Sequence, residues 1–174
     1  MYLYDALQTY EIPQFGLPLR SIIISQLQEL NFPKYNFDIK REENQLFVFD
    51  EIRKKWIVLT PEEWVRQHVI FYLVDQKKFP ASLIAVEKSI KVNQRLKRFD
   101  LVCYDNQARP VILVECKAPE IKISVQTMAQ ALRYNSQIQA EYVVLTNGLD
   151  LVCAQIDHVK KEVNYLQDLP EYKI

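Results

Sequence analysis

Glycine is almost absent from this chain: Gly16 and Gly148 are the only two in 174 residues. Loops that cradle nucleotide phosphates need several glycines at fixed spacing, because the backbone must approach the phosphate closely. These residues therefore carry neither a phosphate loop nor a dinucleotide fingerprint, and no nucleotide-driven motor. Histidine is equally scarce. His68 and His158 stand far apart, with no H-E-x-x-H pair around them, and no G-x-S-x-G elbow occurs anywhere. An excess of one charge is missing too, since 22 basic and 22 acidic residues cancel. That balance argues against a protein that coats nucleic acid through global charge. The longest apolar runs, such as "HVIFYLV" and "VILV", fall far short of the roughly 20 residues that span a bilayer. The first residues, "MYLYDALQTYEIPQF", lack the basic start and apolar core of a secretory signal. Cys103, Cys116 and Cys153 are odd in number, sit in apolar runs and match no metal spacing. They read as small buried hydrophobes in a reducing cytoplasm, with no membrane partner.

What is present is an ordinary globular composition, 49% apolar and 25% charged, enough for one domain with its own core. Residues 1–34 read as an N-terminal extension, in which "GLPLRSIIISQLQELNFP" predicts a short helix ending near Pro33. A single domain is expected over 35–174, with its core over 60–157. "NFDIKREENQLFVFDEIRKKWIVLT" predicts an antiparallel meander with strands at 36–41, 45–50 and 55–59, separated by polar turns. Thr60, Pro61, Glu62 and Glu63 form a helix start: a cap, a proline at the first helical position, and acids that complement the dipole. That helix is expected over 61–78, ending before Pro80, with most of its surface buried. Strands follow at 83–92, 99–104 and 110–116, then a second helix at 122–139. "EYVVLT", "NGLD" and "LVCAQID" predict a hairpin with Asn147 and Gly148 at its tip. The tail is polar with scattered aromatics. The order gives a mixed α/β (α+β) fold, a central mixed sheet flanked by helices behind an N-terminal antiparallel meander.

The chemistry concentrates in "VILVECKAP". Alternate side chains of a strand share a face, so Leu113, Glu115 and Lys117 point one way, and Ile112, Val114 and Cys116 the other. An acid and an amine then stand side by side at the end of a buried strand. Taken alone, Glu-x-Lys is explained by an ordinary salt bridge. Asp100, in "RFDLVCYD", lies on the preceding strand and comes beside Glu115 and Lys117 if the two strands pair antiparallel. Converging carboxylates repel unless a cation neutralises them, and oxygen-only ligands favour Mg²⁺. Glu62 shares a helical face with Val65, Val69 and Tyr72. Gln130 and Tyr134 lie one turn apart on the second helix. Residues 88–98, "KSIKVNQRLKR", hold Lys88, Lys91, Arg95, Lys97 and Arg98 with no acid among them. Such a run reads either as a solvated hairpin or as a grip on a phosphate backbone.

Asp100, then Glu115-Cys116-Lys117, then Gln130-x-x-x-Tyr134 resembles the PD-(D/E)XK nuclease superfamily. The phrases "TPEEWVRQ", "LIAVEKSIKV", "RFDLVCYD", "VILVECKAP" and "YVVLTNGL" resemble more narrowly the N-terminal domain of type I restriction enzyme R subunits, over roughly residues 36–157. The resemblance implies a Mg²⁺-dependent endonuclease acting on DNA in a restriction setting, with Mn²⁺ able to substitute. It implies Asp100 and Glu115 as metal ligands, Lys117 at the phosphate, Glu62 (or Glu63) supporting the metal or a water, and Gln130 with Tyr134 assisting DNA engagement. It also implies separate helicase or restriction-system subunits as partners. The proline that names the superfamily is replaced, with Phe99 in its place. The alternatives left open are a catalytically silent DNA-binding module of the same fold, and a protein-interaction domain in which the triple is a salt-bridged strand end.

Overall fold

The computed structural model describes residues 27–92 and 95–173, with the side chains of 90–97 outside that description. Three strands come first: β1 (Ile39–Glu42), β2 (Gln45–Asp50) and β3 (Lys55–Val58). They pair antiparallel in the order β1-β2-β3, as the alternating pattern and polar turns predict. Helix α1 (Pro61–Phe71) begins where the sequence places it. The Thr60 side chain accepts from the Glu63 amide, and proline occupies the first turn.

The expected helix over 61–78 ends differently. The α-helix stops at Phe71 and continues as a π-helical turn, Tyr72–Gln76. Lys78 then takes a left-handed conformation (φ 62°), which closes the helix ahead of Pro80. A short 3₁₀ turn (Ala81–Leu83) leads into a six-stranded sheet of β4 (Ile84–Val92), β5 (Arg95–Tyr104), β6 (Pro110–Cys116), β7 (Tyr142–Thr146), β8 (Leu151–Asp157) and β9 (Glu162–Leu166). Their spatial order is sequential. Only the β6–β7 pair is parallel, and helix α2 (Val125–Ile138) makes the crossover that a parallel pair requires.

Several boundaries move for local reasons. β5 starts at Arg95 rather than 99, because the basic segment pairs as one long hairpin with β4, from Ile84↔Cys103 to Val92↔Arg95. α2 starts at Val125 rather than 122, because Ser124 caps it: Ser124 and Thr127 bond each other's backbone amides as a capping box. It ends at Gln139, which is left-handed (φ 61°). The tail holds an unexpected strand. β9 pairs with β8 at the sheet edge and is exposed at all five residues, so no buried face marks it in the sequence. The helix expected to end near Pro33 is not seen over residues 27–33, and the rest of it lies outside the described residues. Leu30 instead packs into the core.

The six-stranded sheet is covered on both faces. Val65, Val69, Ile70 and Leu73 from the α1 region bury Leu101, Ile112, Val114, Cys116 and Val144. Met128, Ala131 and Ile138 of α2 bury Phe99, Val102, Leu113, Val143 and Leu145 on the opposite face. Period-two alternation along β6 thus divides Ile112, Val114 and Cys116 from Leu113. All three cysteines are buried free thiols. Among the described residues no helix is long and apolar enough to cross a membrane.

Among the described residues, glycine is obligatory in the β7–β8 connection. Gly148 has φ +85°, and a Cβ there would lie 2.7 Å from Leu30 Cδ2. Asn147 braces the turn by accepting from the amides of Leu149 (3.0 Å) and Asp150 (2.7 Å). Asn31 ties it to the preceding segment by donating its amide to the Gly148 carbonyl at 2.7 Å. Gly148→Ala is expected to cost about 2 kcal/mol, from the left-handed backbone and the displaced Leu30 together. Urea denaturation checks this, and an unchanged midpoint would refute it.

Candidate active site

The site is built where β5 and β6 run side by side beneath the start of α1. Glu115 and Lys117 follow Leu113 onto the α2 face. There they line a small cleft of ≈ 30 Å³ with Thr127, Gln130, Ala131, Tyr134 and Leu145. Four of the sequence-derived candidates, Glu115, Lys117, Gln130 and Tyr134, therefore share one cavity. Lys117 lies just past the end of β6, but its amide donates to the Thr146 carbonyl at 2.8 Å, so its backbone stays locked to β7. Its ammonium stands 3.8 Å from Glu115 Oε2. Across the cleft, the Gln130 side-chain amide donates to the Tyr134 hydroxyl at 3.0 Å, and the Tyr134 ring meets Phe99 edge-on.

Asp100 reaches this centre from β5. One oxygen, Oδ2, accepts from the Cys116 amide at 2.6 Å, between Glu115 and Lys117 in the chain. The other, Oδ1, accepts from Arg66 Nη2 at 2.8 Å. The strand is irregular at this point. Phe99 belongs to the α2-side core and Leu101 to the α1-side core, although residues two apart on a regular strand share a face. The β4–β5 ladder keeps one register but is interrupted between Val86↔Leu101 and Lys88↔Phe99, where Glu87 stands opposite Asp100. Glu87 is left-handed (φ 51°). Backbone in this region is costly for a non-glycine residue, and such strain clusters at functional sites.

The two acids at the start of α1 part company. Glu63 is buried and bonded by Arg53, Arg66 and Gln67. Glu62 is half exposed and accepts from Arg66 Nη2 at 3.0 Å, near enough to Glu115 to act on its charge. Of the pair, Glu62 is the acid beside the cleft residues. Arg53 extends the network outward: it bonds Asp50 (2.8 Å) and Glu63, and Glu87 at 2.7 Å. Sequence reasoning passed over Arg53, Arg66 and Glu87. Arg66 left a signal, since it stands three and four residues after Glu63 and Glu62, the spacing at which helical side chains meet. Arg53, in what reads as a polar turn, left none.

The basic segment divides. Lys88 donates to the Tyr104 hydroxyl at 3.0 Å and lies over that ring. Arg98 is exposed and stands 3.4 Å from Glu87. The backbone carries Lys91, Arg95 and Lys97 on the β4–β5 hairpin, while their side chains lie outside the described residues.

The electrostatics centre on Glu115. Burial, then the neighbouring Asp100, push its carboxyl up to about 7; Lys117 opposes the shift and Glu62 adds to it. For Arg66, burial works against its charge, but Asp100 and Glu63 outweigh that and hold it firmly protonated. The Cys116 thiol is pushed far up by burial, so it is an inert neighbour and not a nucleophile.

These contacts test whether the residues suit Mg²⁺. Among the described residues no three His, Cys, Asp or Glu side chains converge as a ready metal cluster. Mg²⁺ asks for less, since one or two carboxylates suffice when water and substrate phosphate complete the shell. Asp100 and Glu115 supply that oxygen-only pair, and Glu115 is raised by burial first and by Asp100 second. The donor set fits.

A sequence model of the family described as "Type I restriction enzyme R protein N terminus (HSDR_N)" matches residues 61–170. The chain belongs to this family. The matched span runs from the start of α1 past β9, so it holds every cleft residue named above. Among solved structures, one similar chain is described as "The fragment structure of a putative HsdR subunit of a type I restriction enzyme from Vibrio vulnificus YJ016". The TM-score is 0.50 at 19% identity, over 65% of this chain and 24% of that one. At that identity the likeness shows the fold alone, and this chain spans about a quarter of the other's length. No curated protein matches.

Glu115 gives a signed pH dependence. Its folded value, about 7, lies above the usual 4.5. Between these values the folded state holds a proton that the unfolded state has released, so stability falls as pH rises through the window. The loss is on the order of 3 kcal/mol at most. Denaturation in chelator at pH 5 and pH 7.5 is expected to show it, and Glu115→Gln to flatten the slope. An equal slope in the variant would sink the assignment.

Proposed function

We propose that the chain is a Mg²⁺-dependent endonuclease domain of the PD-(D/E)XK type, hydrolysing DNA phosphodiester bonds as part of a cytoplasmic restriction system with separate helicase or restriction subunits. One observation carries the reading. Glu115 and Lys117 share a cleft with Gln130 and Tyr134, and Asp100 is bonded to the backbone between the acid and the lysine. Membership of the R-protein N-terminal family supports the restriction setting.

Hydrolysis of a phosphodiester needs a placed nucleophile and charge stabilisation as negative charge builds on the phosphoryl oxygens. Asp100 and Glu115 would hold Mg²⁺, which when bound supplies a Lewis acid for the phosphate and a lowered pKa for the attacking water. Lys117 presents its ammonium to the cleft from a backbone fixed by β7, so positive charge waits where a phosphate oxygen would sit. Glu62, half exposed and angled by Arg66, supports the acid side. Gln130 and Tyr134 hold each other and form the opposite wall. Lys88, Lys91, Arg95, Lys97 and Arg98 lie on a hairpin leading directly to Asp100 and would grip a DNA backbone without reading its sequence. Arg98 would exchange its loose contact with Glu87 for a phosphate.

The test is a cleavage panel: supercoiled plasmid, linear duplex, single strands and RNA, each with Mg²⁺, Mn²⁺ or chelator. Metal-dependent cutting of duplex DNA is expected, reduced about 10²–10³-fold in Lys117→Ala with little change in melting temperature. Cutting that persists in Lys117→Ala, Asp100→Ala and Glu115→Ala would overturn the assignment. Salt-sensitive duplex binding without any cutting would point to the silent DNA-binding module.

A further inference from the structure

Arg66 is 5% exposed and is not among the residues that line the cleft, yet its guanidinium touches three acids. Nη1 bonds Glu63. Nη2 is shared between Glu62 Oε1 at 3.0 Å and Asp100 Oδ1 at 2.8 Å. Nε is buried without a partner among the described residues, so the two Nη groups make all the contacts with these acids. Asp100 carries the constraint on, since its second oxygen holds the Cys116 amide at 2.6 Å, the link from which Glu115 and Lys117 both extend.

We infer that Arg66 is a positioning residue: it sets Glu62 and Asp100 in register with Glu115, and thereby fixes the geometry in which a divalent cation is taken. This rests on the nuclease reading above. A guanidinium is a rigid planar fork whose donors keep fixed angles, and lysine, a point charge on a flexible stem, cannot span the same three acceptors. Both Asp100 oxygens are anchored, but a carboxylate oxygen has two acceptor sites, so each retains one for a cation. Arg66 does not reach the cleft, so its influence passes through Asp100 and Glu62.

The test is Arg66→Lys in the full chain. Mn²⁺ is titrated by calorimetry, and the melting temperature in chelator reports the fold. Groups that orient a metal's ligands typically affect affinity 10–100-fold, and a Mn²⁺ affinity weakened about tenfold or more is expected in folded protein. Glu62→Gln is expected to weaken Mn²⁺ binding when Arg66 is present, and should have lost that effect in the Arg66→Lys background. A purely structural arginine would lower the melting temperature and leave the affinity of the folded protein unchanged, and that result overturns the inference. Should Arg66→Lys not fold, Glu63→Gln/Arg66→Met removes the buried pair together. The same weakening is expected there, and unchanged affinity again refutes it. A wild type that takes up no Mn²⁺ would overturn the nuclease reading itself and this inference with it.

Discussion

Buried charge compensation organises this molecule. An unpaired charge below the surface costs several kcal/mol after relaxation, and removing one partner of a buried pair strands the other. Arg66 and Arg53 meet this constraint from two sides. Arg66 neutralises Glu62 and Glu63 of α1 and Asp100 of β5. Arg53, from the β2–β3 turn, reaches Glu63 on α1 and Glu87 on β4. The small sheet is therefore joined to the large one through ion pairs as well as apolar packing. Asp50, fully buried, accepts from two backbone amides of its own turn and from Arg53 and Gln67. The turn that carries Arg53 is thus shaped by the acid that Arg53 neutralises.

A charged cleft at the end of a buried strand makes such a network necessary. Hydrophobic burial builds the β6 platform, and two aliphatic faces fix its twist and register. The same platform then has to end in Glu115 and Lys117, at a depth where Glu115 loses its hydration. Asp100 lies within electrostatic reach, and it can remain there because Arg66 and the Cys116 amide satisfy it. The irregularity of β5 at this residue follows. Regular alternation would not leave Phe99 under α2, Leu101 under α1 and the intervening carboxylate bonded to the neighbouring strand. Glu87, left-handed on the facing strand, is the visible cost.

How much of this could be read from the sequence depended on how local its cause was. The start of α1 was legible, because Thr60, Pro61 and the two acids act within one turn. The division of β6 was legible, because period two is a property of the strand alone. Glu115, Lys117, Gln130 and Tyr134 could be grouped because each lies on an element whose face the pattern defines. The π-turn after Phe71 and the edge strand β9 were not legible. The first depends on how the chain leaves the helix, and the second buries no side chain that would leave a pattern. Arg53 was invisible for a third reason: its partners lie 3, 10 and 34 residues away, and only tertiary structure brings them to one guanidinium. The two acids of "PEEW" show the limit most clearly. Glu62 and Glu63 are equivalent in the sequence, yet one is half exposed beside the cleft and the other is buried among arginines.

Charge counting joins the network to the chemistry. The ion pairs around the site enlist six carboxylates, Asp50, Glu62, Glu63, Glu87, Asp100 and Glu115, against four cations, Arg53, Arg66, Arg98 and Lys117. Among the described residues, two negative charges remain in these pairs when all are ionised. The excess is not spread evenly. Asp50, Glu63 and Asp100 each have an arginine within 3 Å, whereas Glu115 has only the looser Lys117 contact at 3.8 Å. The deficit of positive charge therefore falls at the cleft, and there the protein has two ways to relieve it. It keeps a proton on Glu115, as the raised carboxyl does alone; under the nuclease proposal a divalent cation would relieve the same deficit. Arginine fills the interior part of the network because its charge is permanent and its geometry fixed. The cleft is left short of charge, which makes it the one part of the network where binding can do what folding has not.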